Sequence, residues 1–132
     1  MLLVDSDVFI YARSRHERGN PCRALLAAAP RHAEWVVPGI VLLELTHYYA
    51  DAGEYARAIL QALQPVETRV ADIDWAAAHA TAHSEFNDHV ILAGAHRLGA
   101  GGVVGFDGFF GRQKHHPQVR GVHPGELLGT DD

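Results

Sequence analysis

Apolar residues in this chain come in short runs broken by polar turns, and the spacing of those runs sets its elements. Leu2 to Asp5 reads as a short buried strand, and the apolar residues that resume at Val8 carry it into a helix. Asn20-Pro21 places a cap before a proline at the first helical position, opening a helix through Ala29 that Pro30 stops. Trp35 to Val37 is a second strand. After Pro38, the segment Gly39 to Ala50 predicts a helix with Ile40, Leu43 and His47 on one face and Gly53 as its terminator. A helix over Glu54 to Leu63 follows, then a third strand over Val66 to Val70. Asp74 is placed to cap a helix from Trp75 to about His83, and Asn87 one from Asp88 to Leu98. Gly99 to Gly102 form a turn, Val103 and Val104 begin a fourth strand, and Gln118 to Val122 supply a fifth. This alternation predicts an α/β fold, a mostly parallel sheet covered by helices. With no repeat, low-complexity tract or linker, residues 1–132 read as one domain, with a core over 1–123 and a C-terminal tail over 124–132.

Composition narrows the class. A chain of 132 residues, 48% of them hydrophobic, can bury a core without staples. Cys22 is the one cysteine, which excludes an intramolecular disulfide and a thiolate zinc cluster and leans towards a reducing compartment. With no signal-peptide pattern and no apolar stretch of membrane length, the expectation is a cytoplasmic protein without a membrane partner. The net charge of -5 argues against unspecific attraction to a phosphate backbone, so a nucleic-acid role needs local help. Two basic groups could give it: Arg13, Arg15, His16 and Arg18, and Arg112, Lys114, His115, His116 and Arg120.

The acidic residues are more informative. In an open parallel sheet, functional groups gather outside the carboxyl ends of the strands. Asp5 ends the first strand, Asp107 follows Val103-Val104, and Asp88 lies in a first helical turn where the dipole favours a carboxylate. Glu44 sits among Leu42, Leu43 and Leu45, and glutamate is seldom buried unless it is paired or coordinates a metal. Singly, each has a structural explanation as a cap, a dipole partner or a turn former. Together they make an oxygen-rich set of the kind that selects hard divalent cations, magnesium or manganese.

The blocks MLLVDSDVFIYA, PGIVLLEL, NDHVILAGAHRLGA and VVGFDGFF resemble, in order and spacing, the motifs of PIN-domain ribonucleases, especially the VapC-like toxins of bacterial toxin-antitoxin pairs. The resemblance implies a three-layer α/β/α fold with a central, mostly parallel sheet of four to five strands. It also implies that Asp5, Glu44, Asp88 and Asp107 form a catalytic, metal-holding quartet. The expected activity is Mg2+-dependent endonucleolytic cleavage of RNA, with Mn2+ as a substitute, on tRNA or rRNA. The expected partner is a small antitoxin encoded alongside. Arg13 and Arg15, just beyond the first motif, are candidates for the substrate backbone. The apolar positions Val41, Leu45, Tyr48, Tyr49 and Tyr55 could line a groove for a partner peptide or a homodimer interface, or be core. Two positions depart from the family pattern. Asp7 stands where a small polar residue such as Asn is usual, and Gly105 where Thr or Ser commonly stands two residues before the last Asp.

Other readings compete. His79 and His83, four apart with His89 nearby, could present imidazoles to zinc, though without the intervening Glu of a metalloprotease helix. Ser6 lacks the glycine-flanked elbow of a nucleophilic serine. A binding or regulatory module that kept the fold and lost catalysis is the alternative of a different class, and Gly105 gives it a footing.

Overall fold

The computed structural model describes residues 1–128, and the last four positions of the expected tail lie outside the described residues. Five strands form one sheet in the order β3-β2-β1-β4-β5, every neighbouring pair parallel. They are β1 (Leu2–Val4), β2 (Trp35–Pro38), β3 (Gln64–Val66), β4 (Gly102–Val104) and β5 (Arg120–Val122). The helices are α1 (Ser6–Ala12), α2 (Gly19–Ala28), α3 (Gly39–Glu44), α4 (Ala52–Ala62), α5 (Val70–His79), α6 (Phe86–Arg97), α7 (Phe109–Arg112) and α8 (Pro124–Leu128). They flank the sheet, giving the expected α/β/α layering.

The three inner strands are short and almost wholly apolar because helices cover both of their faces. Leu3, Val4, Val36, Val37, Val103 and Val104 are all buried. Close pairing of β4 and β5 requires Gly102, where a Cβ would stand 2.8 Å from both the Arg120 carbonyl oxygen and Val122 Cγ2. Helix α6 is apolar nearly all round, with Val90 to Ala95 buried, and ends as expected at a left-handed glycine, Gly99, whose φ is 68°.

Several boundaries differ from the sequence expectation: Asn20, Gly53 and Asn87 fall inside α2, α4 and α6 because those helices begin one or more residues earlier than expected. The third strand is Gln64–Val66 rather than Val66 to Val70. It is the sheet edge, where Pro65 is tolerated because its missing N–H has no partner strand to serve. Helix α5 therefore starts early, at Val70. Its cap is a reciprocal pair in which Asp72, not Asp74, accepts the Arg69 N–H at 3.0 Å. The helix after Pro38 is α-helical only to Glu44 and tightens into a 3₁₀ turn over Leu45–His47, with Val41 and Leu45 rather than Leu43 and His47 facing the core. Beyond residue 123 the chain forms α8, which packs on α2.

Candidate active site

The chain leaves β1 towards β2 and β3 on one side, then returns to place β4 and β5 on the other. Neighbouring strands from which the connections diverge open a crevice at their carboxyl ends, and β1 and β4 are that pair. Asp5 directly follows β1, and Asp107 lies on the loop after β4. Glu44 closes α3, which leaves β2, and Asp88 stands in the first turn of α6, which leads into β4. Four sequence-distant acids are thereby carried to one end of the sheet.

Local hydrogen bonds hold them. Asp5 caps α1, its Oδ1 accepting the Ser6 N–H at 2.7 Å, and only 5% of the residue is exposed. Ser6 Oγ lies 3.5 Å from both Asp5 Oδ1 and Glu44 Oε2, so the serine stands between two carboxylates as an orienting hydroxyl. Asp107 Oδ1 accepts the Phe109 N–H at 2.9 Å, which fixes the loop after β4.

The electrostatics tie the acids together. Burial, then the charge of Asp7, then those of Glu44 and Asp107 push the Asp5 carboxyl up to about 8, with only the Ser6 amide opposing. Burial and a hydrogen bond with Asp107 push Asp88 up to about 8, and the charges of Asp107, Asp5 and Glu44 add to it. Burial also raises Glu44, against hydrogen bonds from Asn87 and Ser6. Asp5 and Asp88 thus each feel the other acids of the quartet. Asp7 belongs to the same group: burial raises it, and Asp107 adds to the rise.

Whether these residues suit a divalent cation can be judged from their atoms. Glu44 Oε1 and Asp7 Oδ1 are buried with no hydrogen-bond partner. A buried acceptor left so costs about 1–3 kcal/mol, and a cation is one group that would satisfy it. The donors are all carboxylate oxygens, the chemistry that hard cations take. Among the described residues no three His, Cys, Asp or Glu side chains already enclose a common point, so the fit is carried by donor type and orphaned acceptors rather than by a closed coordination shell.

The basic candidates separate. The Arg13 guanidinium forms a two-pronged ion pair with Asp51 at 2.9 and 2.7 Å and lies over the rings of Tyr49 and Tyr55, which commits it to the fold. Arg15 is exposed on the loop after α1. Arg18, from the same basic group but not singled out from sequence, reaches the last motif. It packs over Phe106 and Tyr11 and lines a cavity of about 310 Å³ with Gly105, Asp107 and His123. Arg112 lies over Gly108 at the same loop. Linear distance from the first motif favoured Arg13, whereas the turn that leads into Gly19 carries Arg18 back over the strand ends.

The histidines form an aromatic cluster around Trp75 and not the rival metal pair. His79 stacks on Trp75 with ring centroids 4.3 Å apart, and His115 and His89 join the same ring group. His79 and His89 each place Nδ1 against a carbonyl four residues earlier, at 2.8 and 2.7 Å. His83 lies apart, exposed in a 3₁₀ turn.

The PIN domain model matches residues 2–114. No curated protein matches the chain in sequence. Among solved structures, VapC20 of Mycobacterium tuberculosis, described as a sarcin-ricin loop cleaving toxin, is 16% identical with a TM-score of 0.62, over 82% of this chain and 91% of that one. VapBC2 of Rickettsia felis, bound to a promoter DNA fragment, gives 16% and 0.65 over 92% and 97%. A toxin-antitoxin complex from Klebsiella pneumoniae gives 16% and 0.62 over 94% and 98%. At these identities the likeness is one of fold.

Proposed function

The chain belongs to the PIN domain family, and from that premise we propose that it is a metal-dependent endoribonuclease, the toxin of a toxin-antitoxin pair acting on tRNA or rRNA. The observation that carries this reading is the convergence of Asp5, Glu44, Asp88 and Asp107 at the carboxyl ends of β1 and β4, each acid perturbed by its neighbours or bonded into the same loop. A pure binding module has no need of such a group.

Asp5, Glu44, Asp88 and Asp107 would hold Mg2+, or Mn2+ in its place. When bound, such an ion lowers the pKa of its water and offsets charge developing on the phosphate. The protein's own contribution is positional. Ser6 aligns Asp5 and Glu44, and the Phe109 amide holds Asp107. Asp88, raised by burial and by its hydrogen bond with Asp107, would give up its proton when a cation binds. Arg18 and Arg112, beside the Asp107 loop, face an incoming phosphate backbone with the local positive charge that the acidic chain otherwise lacks. Arg15 is free of the Asp51 pairing that engages Arg13 and could assist.

For the partner, we infer a small antitoxin, in keeping with the toxin-antitoxin complexes whose fold this chain shares. An acidic crevice suits an Arg or Lys from such a chain. Leu43 and Tyr48, 69% and 61% exposed near Glu44, offer apolar contact beside it, whereas Val41 and Leu45 of the sequence-predicted stripe are core. Co-purification of the native operon should give a complex, and its size reports whether the toxin is also a homodimer. Only free monomer would count against both.

The decisive test of activity is incubation with total RNA in Mg2+ or Mn2+, with and without excess chelator, followed by mapping of the ends. Discrete internal cuts that vanish with chelator are expected. Equal cutting in chelator would remove the metal, and no cutting under any condition would favour the binding-module alternative.

A further inference from the structure

The two departures from the family pattern, Asp7 and Gly105, are in contact with one another. A Cβ on Gly105 would stand 2.6 Å from Asp7 Oδ1, 3.3 Å from its Cγ and 3.2 Å from Asp5 Cβ. The backbone on either side is held, so relief would have to come from the Asp7 side chain. Gly105 N–H donates to the Val122 carbonyl at 3.0 Å and Asp5 N–H to the Val104 carbonyl at 2.9 Å, so strand ladders fix both sides. Gly105 does not have a positive φ, as Gly99 does, so the glycine is required for room and not for backbone freedom. Asp7 fills that room. Its Oδ2 accepts the Phe106 N–H at 2.8 Å, joining α1 to the segment that carries Asp107, while Oδ1 is buried without a partner beside the quartet.

We propose that Asp7 is a positioning residue that takes the place of the side chain absent at Gly105: one oxygen anchors the Phe106-Asp107 segment, and the other adds an acceptor to the carboxylate group. Its catalytic consequence rests on the nuclease reading, but the contact itself does not. Gly105 is then one half of an exchange, and loses its weight as a sign of decayed activity.

The test uses the intact chain as parent, Asp7→Asn, Asp7→Ala, Gly105→Thr, and the double variant Asp7→Ser with Gly105→Thr. Each is read by Tm in chelator, by Mn2+ titration calorimetry and by the initial rate of RNA cleavage. Gly105→Thr alone should lower all three, and Asp7→Ala should weaken Mn2+ binding and cleavage about tenfold. Asp7→Asn, whose amide oxygen still accepts the Phe106 N–H but whose NH2 replaces the second acceptor, should keep the parent's Tm in chelator while losing Mn2+ affinity and cleavage about as far as Asp7→Ala. The double variant should recover most of what Gly105→Thr loses. If Gly105→Thr does not fold, Gly105→Ala brings the same Cβ and is compared with its Asp7→Ser double. The proposal is overturned if the single effects merely multiply in the double, if Asp7→Asn falls in Tm as far as Asp7→Ala, or if Asp7→Ala matches the parent. Should the parent cut no RNA, the nuclease reading falls, while Tm in chelator and Mn2+ binding still decide the coupling of Asp7 to Gly105.

Discussion

Asp5 and Asp72 are both aspartates at the start of a helix, and both are nearly inaccessible, 5% and 3% exposed. They have opposite electrostatic fates. Asp72 accepts bonds from Arg97 Nε and Nη2 at 3.1 and 2.9 Å and from the Arg69 N–H, and despite its burial its carboxyl is held below the ordinary value by Arg97. Asp5 has one amide donor and a ring of other acids, and is pushed up to about 8. Burial therefore says little about what a carboxylate is for. An acid supplied with a cation by the fold itself is structural, and one surrounded by its own kind is arranged for something that arrives from outside.

The widest separation between the two should be in activity. Asp5→Asn and Asp88→Asn should lower RNA cleavage by about a hundredfold to a thousandfold, the scale for losing one preorganised electrostatic group. In chelator their Tm should equal or exceed the parent's, because the amide relieves repulsion. Asp72→Asn should do the reverse, leaving the folded fraction active while destabilising it. Removing its partner by Arg97→Ala strands a buried carboxylate and should cost about 3 kcal/mol by denaturant titration. Cleavage retained in Asp5→Asn, together with a lowered Tm, would place Asp5 in the same class as Asp72 and dissolve the contrast.

The pH dependence should also divide. Asp5 and Asp88 bind a proton more tightly in the folded chain, so their contribution to stability is complete below 3.8 and lost as pH rises towards about 8. Asp72 runs the other way, contributing above 3.8 and losing that contribution as acid protonates it. Thermal melts of the chelated parent should accordingly fall in Tm between about pH 4 and pH 8. Asp5→Asn should show a shallower fall, and Arg97→Ala should flatten only the acid limb. A Tm that instead climbs through that window would mean the quartet is already compensated by groups of the fold.

The smallest effects separate the arginines. Arg18→Ala should weaken RNA binding several-fold by fluorescence anisotropy and leave Tm close to the parent's, since Arg18 is itself exposed and rests on the half-buried rings of Tyr11 and Phe106 beside the Asp107 loop. Arg13→Ala should leave RNA affinity unchanged and Tm close to the parent's, because its partner Asp51 is itself solvent-exposed. The opposite ranking would return the backbone contact to Arg13.

The contrast between Asp5 and Asp72 also marks what could be read from the chain. Strand-length apolar runs such as Leu2-Leu3-Val4 and Val103-Val104 reveal a doubly covered parallel sheet, and the order of the acids along them gives the quartet. Nothing local marks Asp72, because its significance lies in Arg97, 25 positions away and set by the packing of α5 on α6. The same is true of Asp7, whose partner amide is 99 positions distant. Asp74 looked the better cap because Val66 to Val70 reads as β-branched strand, and only the edge position of β3 ends that strand early. The rival reading of a His79–His83 metal pair has no helix to stand on, because α5 stops at His79 and the four-residue spacing no longer lies on one helix.

Under the proposed function, the acids around Asp5 form a cation site completed from outside the fold. Its most direct measurement is the Tm of the metal-free parent and of Asp5→Asn as Mn2+ is titrated in, without RNA. Saturation should stabilise the parent by about 2.7 kcal/mol at a hundred times the dissociation constant and leave the amide variant unmoved at the same concentration. A parent whose Tm ignores Mn2+ and Mg2+ alike, or an Asp5→Asn variant that rises with it, would contradict the account.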